Sequence, residues 1–420
     1  MKKRYNYRAY PTGDQQQLLA RSLGCARAVF NDFIAERDRL FKAGQHRDVR
    51  FAETSRRVLI EAKAPGGARP YLGQVSAAML QQSVRDAEAG YRNFFASMTG
   101  VRGGAKMGRP RLKSKYQHTH RMRFAANSGF RVEDQAHQGH GFLTLPKIGR
   151  IRLVMSRPLP SAPSSVTVTA HADGTYEVSF VVEVEPRTAP EPAHAGAGVD
   201  AGIISLAAVA HDDGTGHKVD NPRHLKAGER KLARAQRALS RKQKGSKNRN
   251  KARVQVARQH RKVRHARLDY HHKEARVLVD NTHAIGLEDL NVAGMVRNHR
   301  LAKALSDASI SQFLGLIREK AAEAGRTVIT VDRWFPSSQL CSECGCSGGK
   351  KHLGIRQWSC TCCGAVLDRD INAAHNVMIA AGLAEIENAC GGSIRPGPPL
   401  AEPGKQEPTE QTRGPHAPAA

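Results

Sequence analysis

Near the N-terminus Tyr5, Tyr7 and Tyr10 are interleaved with polar or small residues as far as Pro11, the pattern of a short basic strand. Thr12 then stands as a plausible helix N-cap. It precedes Leu18, Leu19, Leu23, Ala26, Val29, Phe30 and Phe33, which recur at helical spacing. A second helical run is predicted over about 75–98, with Ala78, Met79, Leu80, Val84, Ala87, Tyr91 and Phe94–Phe95. Both stripes read as core faces of a helical subdomain. Gly103-Gly104 and Gly108-Arg109-Pro110 mark a loop.

The pattern changes over 119–185. Val166, Val168 and Ala170 alternate with polar residues, Asp173-Gly174 supplies a turn, and Tyr176, Val178, Phe180 and Val182 alternate again. That predicts a hairpin, and with 121–132, 141–145 and 150–155 it predicts a small antiparallel barrel or sheet. Pro186 to Pro192 reads as a linker. From Gly196 a new domain opens: Gly198-Val199-Asp200-Ala201-Gly202 and Ile204 to Ala210 read as two tightly joined strands. Residues 223–280 form a long basic helical segment broken near Gly245-Ser246. An apolar strand, Ala284 to Leu287, ends in Glu288-Asp289. Residues 304–324 are predicted helical, 327–333 a strand, and Asp370 begins a helix containing Ala373, Ala374, Val377 and Met378. Beyond about residue 392 the Pro-, Gly- and Glu-rich tail is expected to be disordered.

Charge narrows the class. Lys and Arg total 66 against 38 Asp and Glu, a net charge of +28, which favours a polyanionic partner. The segment 223–276 holds twenty of these cations and three acids, Glu229, Asp269 and Glu274. Its densest stretch offers Arg241, Lys242, Lys244, Lys247, Arg249 and Lys251 as candidate nucleic-acid contacts. No stretch approaches the ~20 apolar residues of a membrane-spanning helix, and no apolar signal core follows the first residues. The expectation is a cytoplasmic protein, nucleoid-associated at a DNA target.

Six of the eight cysteines lie between Cys341 and Cys363, while Cys25 and Cys390 stand alone. Cys341-x-x-Cys344 and Cys360-x-x-Cys363, fifteen residues apart, match a two-knuckle zinc ribbon. Gly345 and Gly364 follow each pair where a knuckle needs a permissive backbone. Cys346 and Cys362 are spare, and a register shifted onto Cys362 would break the CxxC spacing. Four cysteine ligands make the zinc structural, since a catalytic zinc keeps one position open. The acids are the candidates for chemistry. Asp200 lies in an apolar strand, Glu288 at the end of another, and Asp370 at a helix start. Carboxylates converging from separate elements can hold two Mg²⁺ about 4 Å apart for phosphodiester cleavage. Strand-Asp, strand-end-Glu and helix-start-Asp, in that order, suit a ribonuclease-H-like fold.

Taken with Trp334-Phe335-Pro336-Ser337-Ser338-Gln339-Leu340-Cys341-Ser342-Glu343-Cys344-Gly345, Gly286-Leu287-Glu288-Asp289-Leu290 and Asp368-Arg369-Asp370-Ile371-Asn372-Ala373-Ala374, the chain resembles the TnpB (OrfB) family. These are transposon-encoded, RNA-guided endonucleases related to compact type V CRISPR effectors. The likeness extends to Tyr10-Pro11-Thr12 and Leu145-Pro146-Lys147-Ile148-Gly149, and Leu112 stands where such proteins often have Phe. The resemblance implies an α/β multidomain protein. In it a β-barrel wedge region with a helical recognition insertion (1–190) precedes a RuvC, ribonuclease-H-like nuclease domain (191–335). An inserted zinc ribbon (336–366), a C-terminal RuvC helix (367–392) and a tail (393–420) follow. It implies Asp200, Glu288 and Asp370 as catalytic Mg²⁺ ligands, with Asp370 preferred over its neighbour Asp368, and DNA and a guide RNA as partners. The other class to weigh is a transposase or accessory DNA-binding protein of the element without guided cleavage. An Asp-Asp-Glu transposase would place its Glu last, and His118-Thr119-His120 has a polar centre unlike a His-apolar-His pair.

Overall fold

The computed structural model describes residues 1–45, 49–117, 119–352 and 354–384, with the backbone of 386–387 and 393–394. His118, Cys390 and the rest of the tail lie outside the described residues. Two compact units emerge, one from Met1–Pro186 with Gly228–Arg264, the other from Arg187–Ala227 with His265 onward.

The first unit begins with β1 (Lys2–Tyr10) and α1 (Gly13–Lys42). Thr12 and Gln15 cap α1 reciprocally: Thr12 Oγ1 accepts from the Gln15 amide and Gln15 Oε1 from the Thr12 amide. The stripe read from sequence is the buried face, with Leu19, Val29 and Phe33 sealed. A short α2 (Phe51–Arg56), not foreseen, precedes α3 (Ala77–Met98), in which Met79, Val84 and Ala87 are buried but Phe95 faces solvent. Then come β2 (Thr119–Ala125), β3 (Arg131–Gln135), β4 (His140–Leu145), β5 (Gly149–Val154), β6 (Ser165–His171) and β7 (Tyr176–Glu183). With β1 they form an antiparallel sheet of order β2-β6-β7-β1-β5-β4-β3, so the N-terminal strand lies at its centre. The stretch 121–132 is two strands, because the chain turns through Gly129 at φ 79°. No ladder joins β2 to β3 among the described residues, so the region expected as a barrel is seen here as a sheet.

The second unit is built on β8 (His194–Ala201), β9 (Ser205–His211) and β10 (Gly216–Asp220). The basic hairpin, α4 (His224–Ser240) and α5 (Lys247–Asn281), follows, turning at Gly245 as predicted. After it come β11 (Thr282–Glu288), α6 (Val292–Met295), α7 (His299–Ala308), α8 (Ile310–Glu323), β12 (Thr327–Val331), β13 (Gln357–Ser359), β14 (Val366–Asp368) and α9 (Arg369–Ala380). The helix predicted over 304–324 is interrupted at Ser309, whose φ of 52° separates α7 from α8. The sheet order is β10-β9-β8-β11-β12, antiparallel through β8, β9 and β10 and parallel through β8, β11 and β12. Val199, Val209, Ile285 and Leu287 share a core with Phe313 and Ile317 of α8.

The hairpin departs from the sequence-based division at 190/191. Its distal part, Gly228–Arg264, clusters with the first unit. There Arg261 of α5 reaches the β6–β7 turn, 2.5 Å from Asp173 and 2.9 Å from the Thr175 hydroxyl.

Candidate acidic centre and four-cysteine site

Glycines decide how the acidic centre is assembled. A Cβ on Gly198 of β8 would lie 2.0 Å from the Ala374 carbonyl of α9, and one on Gly286 of β11 would lie 2.9 Å from Ala381 Cβ. Bare backbone at these two points lets α9 lie directly on the sheet. Its N-terminus, carrying Asp370, thereby reaches the strand ends that carry Asp200 and Glu288. The three acids named from sequence are thus brought together from β8, β11 and α9.

Their environments differ. The Asp200 carboxyl is pushed up to about 7, first by burial, then by the nearby Glu288 and Asp370 carboxylates, with Arg369 opposing. Burial also raises Glu288, although the Ser337 hydroxyl, donating to Glu288 Oε1 at 2.5 Å, favours its charged form. Asp370 faces Arg356 at 3.3 Å and Lys218 at 3.5 Å. Asp368 has another task. It is the N-cap of α9, accepting from the amides of Asp370 and Ile371, and it pairs with Lys218 at 2.8 Å. Although burial opposes it, these contacts hold Asp368 below the usual carboxylate range.

A folded-state pKa near 7 lies well above that of an unfolded aspartate. The stability linked to Asp200 is therefore complete below about pH 4, where both states are protonated, and is lost as pH rises from there through about 7. Asp200→Asn should raise the melting temperature by about 5 °C at pH 8 without added magnesium, and by only about a third as much at pH 5, where the unfolded aspartate is already ionised. Equal shifts at the two pH values in differential scanning fluorimetry would contradict this desolvated, crowded carboxyl.

The cysteines form a second site. The sulfurs of Cys341, Cys344, Cys360 and Cys363 all lie within 4.8 Å of one another. Cys341 and Cys363 are 3.7 Å apart, Cys344 and Cys360 3.6 Å. The two knuckles repeat one turn: Gly345 N–H donates to the Cys341 carbonyl and Gly364 N–H to that of Cys360, each at 2.9 Å, with both glycines at φ 72°. Cys346 and Cys362 stand outside the cluster, which keeps the register read from sequence. Among the described residues these four sulfurs are the group of possible metal ligands that all lie so close together, and the three carboxylates do not meet that spacing.

The basic side chains expected to touch nucleic acid divide. Arg241, Lys242, Lys244, Lys247 and Lys251 are exposed and make no ion pair among the described residues. Arg249 is turned inward, donating to the carbonyls of Leu239 and Lys242 at 3.1 and 2.9 Å, which closes the end of α4. Lys218 and Arg356, in contact with the acids, carry no expectation from sequence, and Ser337, Asn372 and Asn376 carry none as contacts, although Ser337 and Asn372 stand in the segments that bear the family likeness. Asn372 and Asn376 stand four residues apart on one face of α9, a spacing that was visible in the sequence.

Known proteins match over nearly the whole length. Residues 179–299 match the OrfB family model described as "Probable transposase", and residues 311–377 that of the "Cas12f1-like, TNB domain". Residues 1–46 match an OrfB "Helix-turn-helix domain", although here Lys2–Lys42 fold as one strand and one long helix. A Streptomyces pristinaespiralis protein named "Putative RNA-guided DNA endonuclease" is 38% identical, over 99% of this chain and 98% of that one. The chain belongs to the TnpB family. Another relative of this TnpB family member, Escherichia coli "Putative RNA-guided DNA endonuclease InsQ", is 30% identical over 97% of both chains. A chain from the cryo-EM structure of a Cas12f1-sgRNA-target DNA complex shares the fold. Its TM-score is 0.56 at 12% identity, covering 90% of this chain and 98% of that one. No helix among the described residues is long and apolar enough to cross a membrane.

Proposed function

We propose that this protein is an RNA-guided, divalent-metal-dependent DNA endonuclease of a transposable element, acting in the cytoplasm at its DNA target. The convergence of Asp200, Glu288 and Asp370 from three elements carries the reading, and the mixed sheet beneath them supports a RuvC, ribonuclease-H-like domain. The donor set is oxygen-only and crowded with negative charge, which suits Mg²⁺. Bound there, the metal would supply water activation and stabilisation of the leaving oxygen. The residues hold the site in place: Asp200 from the floor of the sheet, Glu288 oriented by Ser337, and Asp370 from the first turn of α9.

The four-cysteine site is read as structural zinc. A tetrahedron built on zinc–sulfur bonds of about 2.3 Å has edges of about 3.8 Å, close to the 3.6 and 3.7 Å separations seen. The parts then follow as 1–190 wedge and recognition, 191–335 nuclease, 336–366 ribbon and 367–392 closing helix. The distal hairpin is a basic arm shared with the first part. The named activity of the relatives and the guide and target in the Cas12f1 complex support RNA and DNA as partners.

Sequencing the RNA that co-purifies, and then testing cleavage of matched plasmids by wild type and Asp200→Ala, decides the matter. Retained RNA with guide-dependent cutting that Asp200→Ala abolishes is expected; guide-independent cutting, or equal cutting by both proteins, defeats the reading. The arm makes a separate prediction. Replacing Arg241, Lys242, Lys244, Lys247 and Lys251 together by Gln should flatten the slope of log affinity against log salt by about 4. An unchanged slope in filter binding would remove the arm from the nucleic-acid interface.

A further inference from the structure

Glu288 is held by Ser337, which lies just before the first knuckle of the four-cysteine site and donates from Oγ to Glu288 Oε1 at 2.5 Å. Ser337 is itself buried, and its carbonyl accepts from Asn376 Nδ2 at 2.8 Å. The same amide nitrogen donates to the Leu340 carbonyl at 2.9 Å, and Asn372 Nδ2 donates there too at 2.7 Å. Asn372 Oδ1 accepts from the Ser342 amide at 2.8 Å. Both asparagines are 2% exposed. Two buried amides, one helical turn apart, thus grip the base of the cysteine site and hold Ser337 in line with Glu288. They stand on α9, the helix that carries Asp370 in its first turn. Two of the three acids are therefore located by one rigid element: Asp370 directly, Glu288 through Asn376 and Ser337.

We propose that Ser337 is a positioning residue for Glu288, held by Asn376, and that through this relay the base of the cysteine site sets the geometry of the acidic centre. The inference rests on the nuclease reading above. The hydroxyl occupies one carboxylate oxygen and leaves Oε2 for a cation. Without it the side chain is free to rotate among its staggered wells. Asn376 contributes two donated hydrogen bonds that an aspartate at the same place could not make, since its carboxylate would face two carbonyls.

The test uses the full-length, zinc-replete protein with its guide RNA, comparing Ser337→Ala, Ser337→Thr and Asn376→Asp with wild type. Mn²⁺ binding is followed by electron paramagnetic resonance, with Asp200→Ala as the reference for sites on the RNA. Single-turnover cleavage is measured across a metal titration, and target binding and zinc content separately. Ser337→Ala is expected to weaken Mn²⁺ binding about tenfold and slow cleavage by a similar factor, while target binding and zinc are unchanged. Ser337→Thr, which keeps the hydroxyl, should recover both, and Asn376→Asp should reproduce the loss. The inference is overturned if Ser337→Ala binds Mn²⁺ and cuts as wild type does. It is also overturned if Ser337→Thr is as impaired as Ser337→Ala, since the hydroxyl would then be irrelevant. Wild type that fails to cut, or that cuts like Asp200→Ala, would instead strike the nuclease reading itself.

Discussion

Asp370→Asn, in the guide-loaded protein, is expected to slow cleavage of a matched target by at least about a thousandfold, while Asp368→Asn slows it by no more than about tenfold. Two aspartates separated by one residue would seem interchangeable in sequence, but the fold gives them opposite tasks. Asp368 caps α9 through two backbone amides and pairs with Lys218. Asparagine is nearly as good a cap as aspartate, so that change costs a surface ion pair and little else. Asp370 contributes negative charge to the Asp200 carboxyl, and its loss removes an anionic donor from the centre. Removing a cation ligand forfeits several kcal/mol of transition-state stabilisation, and each ~1.4 kcal/mol is a factor of ten in rate. Binding of guide and target should persist in both variants, because neither aspartate belongs to the basic surfaces. Single-turnover cleavage with parallel gel-shift assays reads the contrast. Equal losses for the two substitutions would mean that the helix cap, not the acid two residues further on, limits the reaction.

The loss of activity should come with a gain in metal-free stability for Asp200→Asn, and this combination separates a functional site from a structural one. Three carboxylates held together without a cation oppose folding at neutral pH, so removing one relieves the protein while disabling it. A structural ion-pair network would respond in the opposite way to the loss of an acid.

Much of the fold was legible from local pattern. Alternation gave β6 and β7, Thr12 as an N-cap gave the start of α1, and an apolar strand ending in Glu288 gave β11. The CxxC spacing gave the cysteine site because its geometry is closed within a few residues. What escaped was set by contacts distant in sequence. Gly198 and Gly286 look like ordinary strand residues until α9 is laid across them. Ser337 stands in a segment that carries the family likeness, but no role is legible for it until Glu288, 49 residues earlier, is found beside it. The hairpin was recognised as two helices, but its partner could not be read, because the Arg261–Asp173 pair that ties it to the first unit spans a long loop of chain. Arg249 shows the same limit: charge placed it on a nucleic-acid surface, whereas the turn geometry engages it with the end of α4.

Cys341→Ser or Cys360→Ser should reduce zinc from about one ion per chain to near zero, lower the thermal stability of the second unit, and abolish most cleavage. Both thiols are buried, at 0% and 3% exposure, so neither has solvent to replace the lost bond. A serine hydroxyl is a poor substitute for a thiolate on zinc, and structural zinc contributes on the order of 10 kcal/mol to the folding of small zinc modules. The damage cannot stay local. Leu340 and Ser342, which flank Cys341, are the residues that Asn372 and Asn376 hold, and Ser337 hangs from the same grip. Once the knuckle opens, α9 loses three of its polar contacts, and Glu288 loses its hydroxyl partner. Cys346→Ser and Cys362→Ser, outside the sulfur cluster, should keep zinc and cleavage, as should Cys25→Ser in the first unit. Zinc is measured by plasma mass spectrometry on purified protein, stability by calorimetry, and activity on matched plasmid. Full zinc in Cys341→Ser, or its loss in Cys362→Ser, would show that another set of sulfurs holds the ion. Zinc loss with cleavage intact would show that the acidic centre keeps its geometry without the ribbon, and the relay through Ser337 would then have no physical basis.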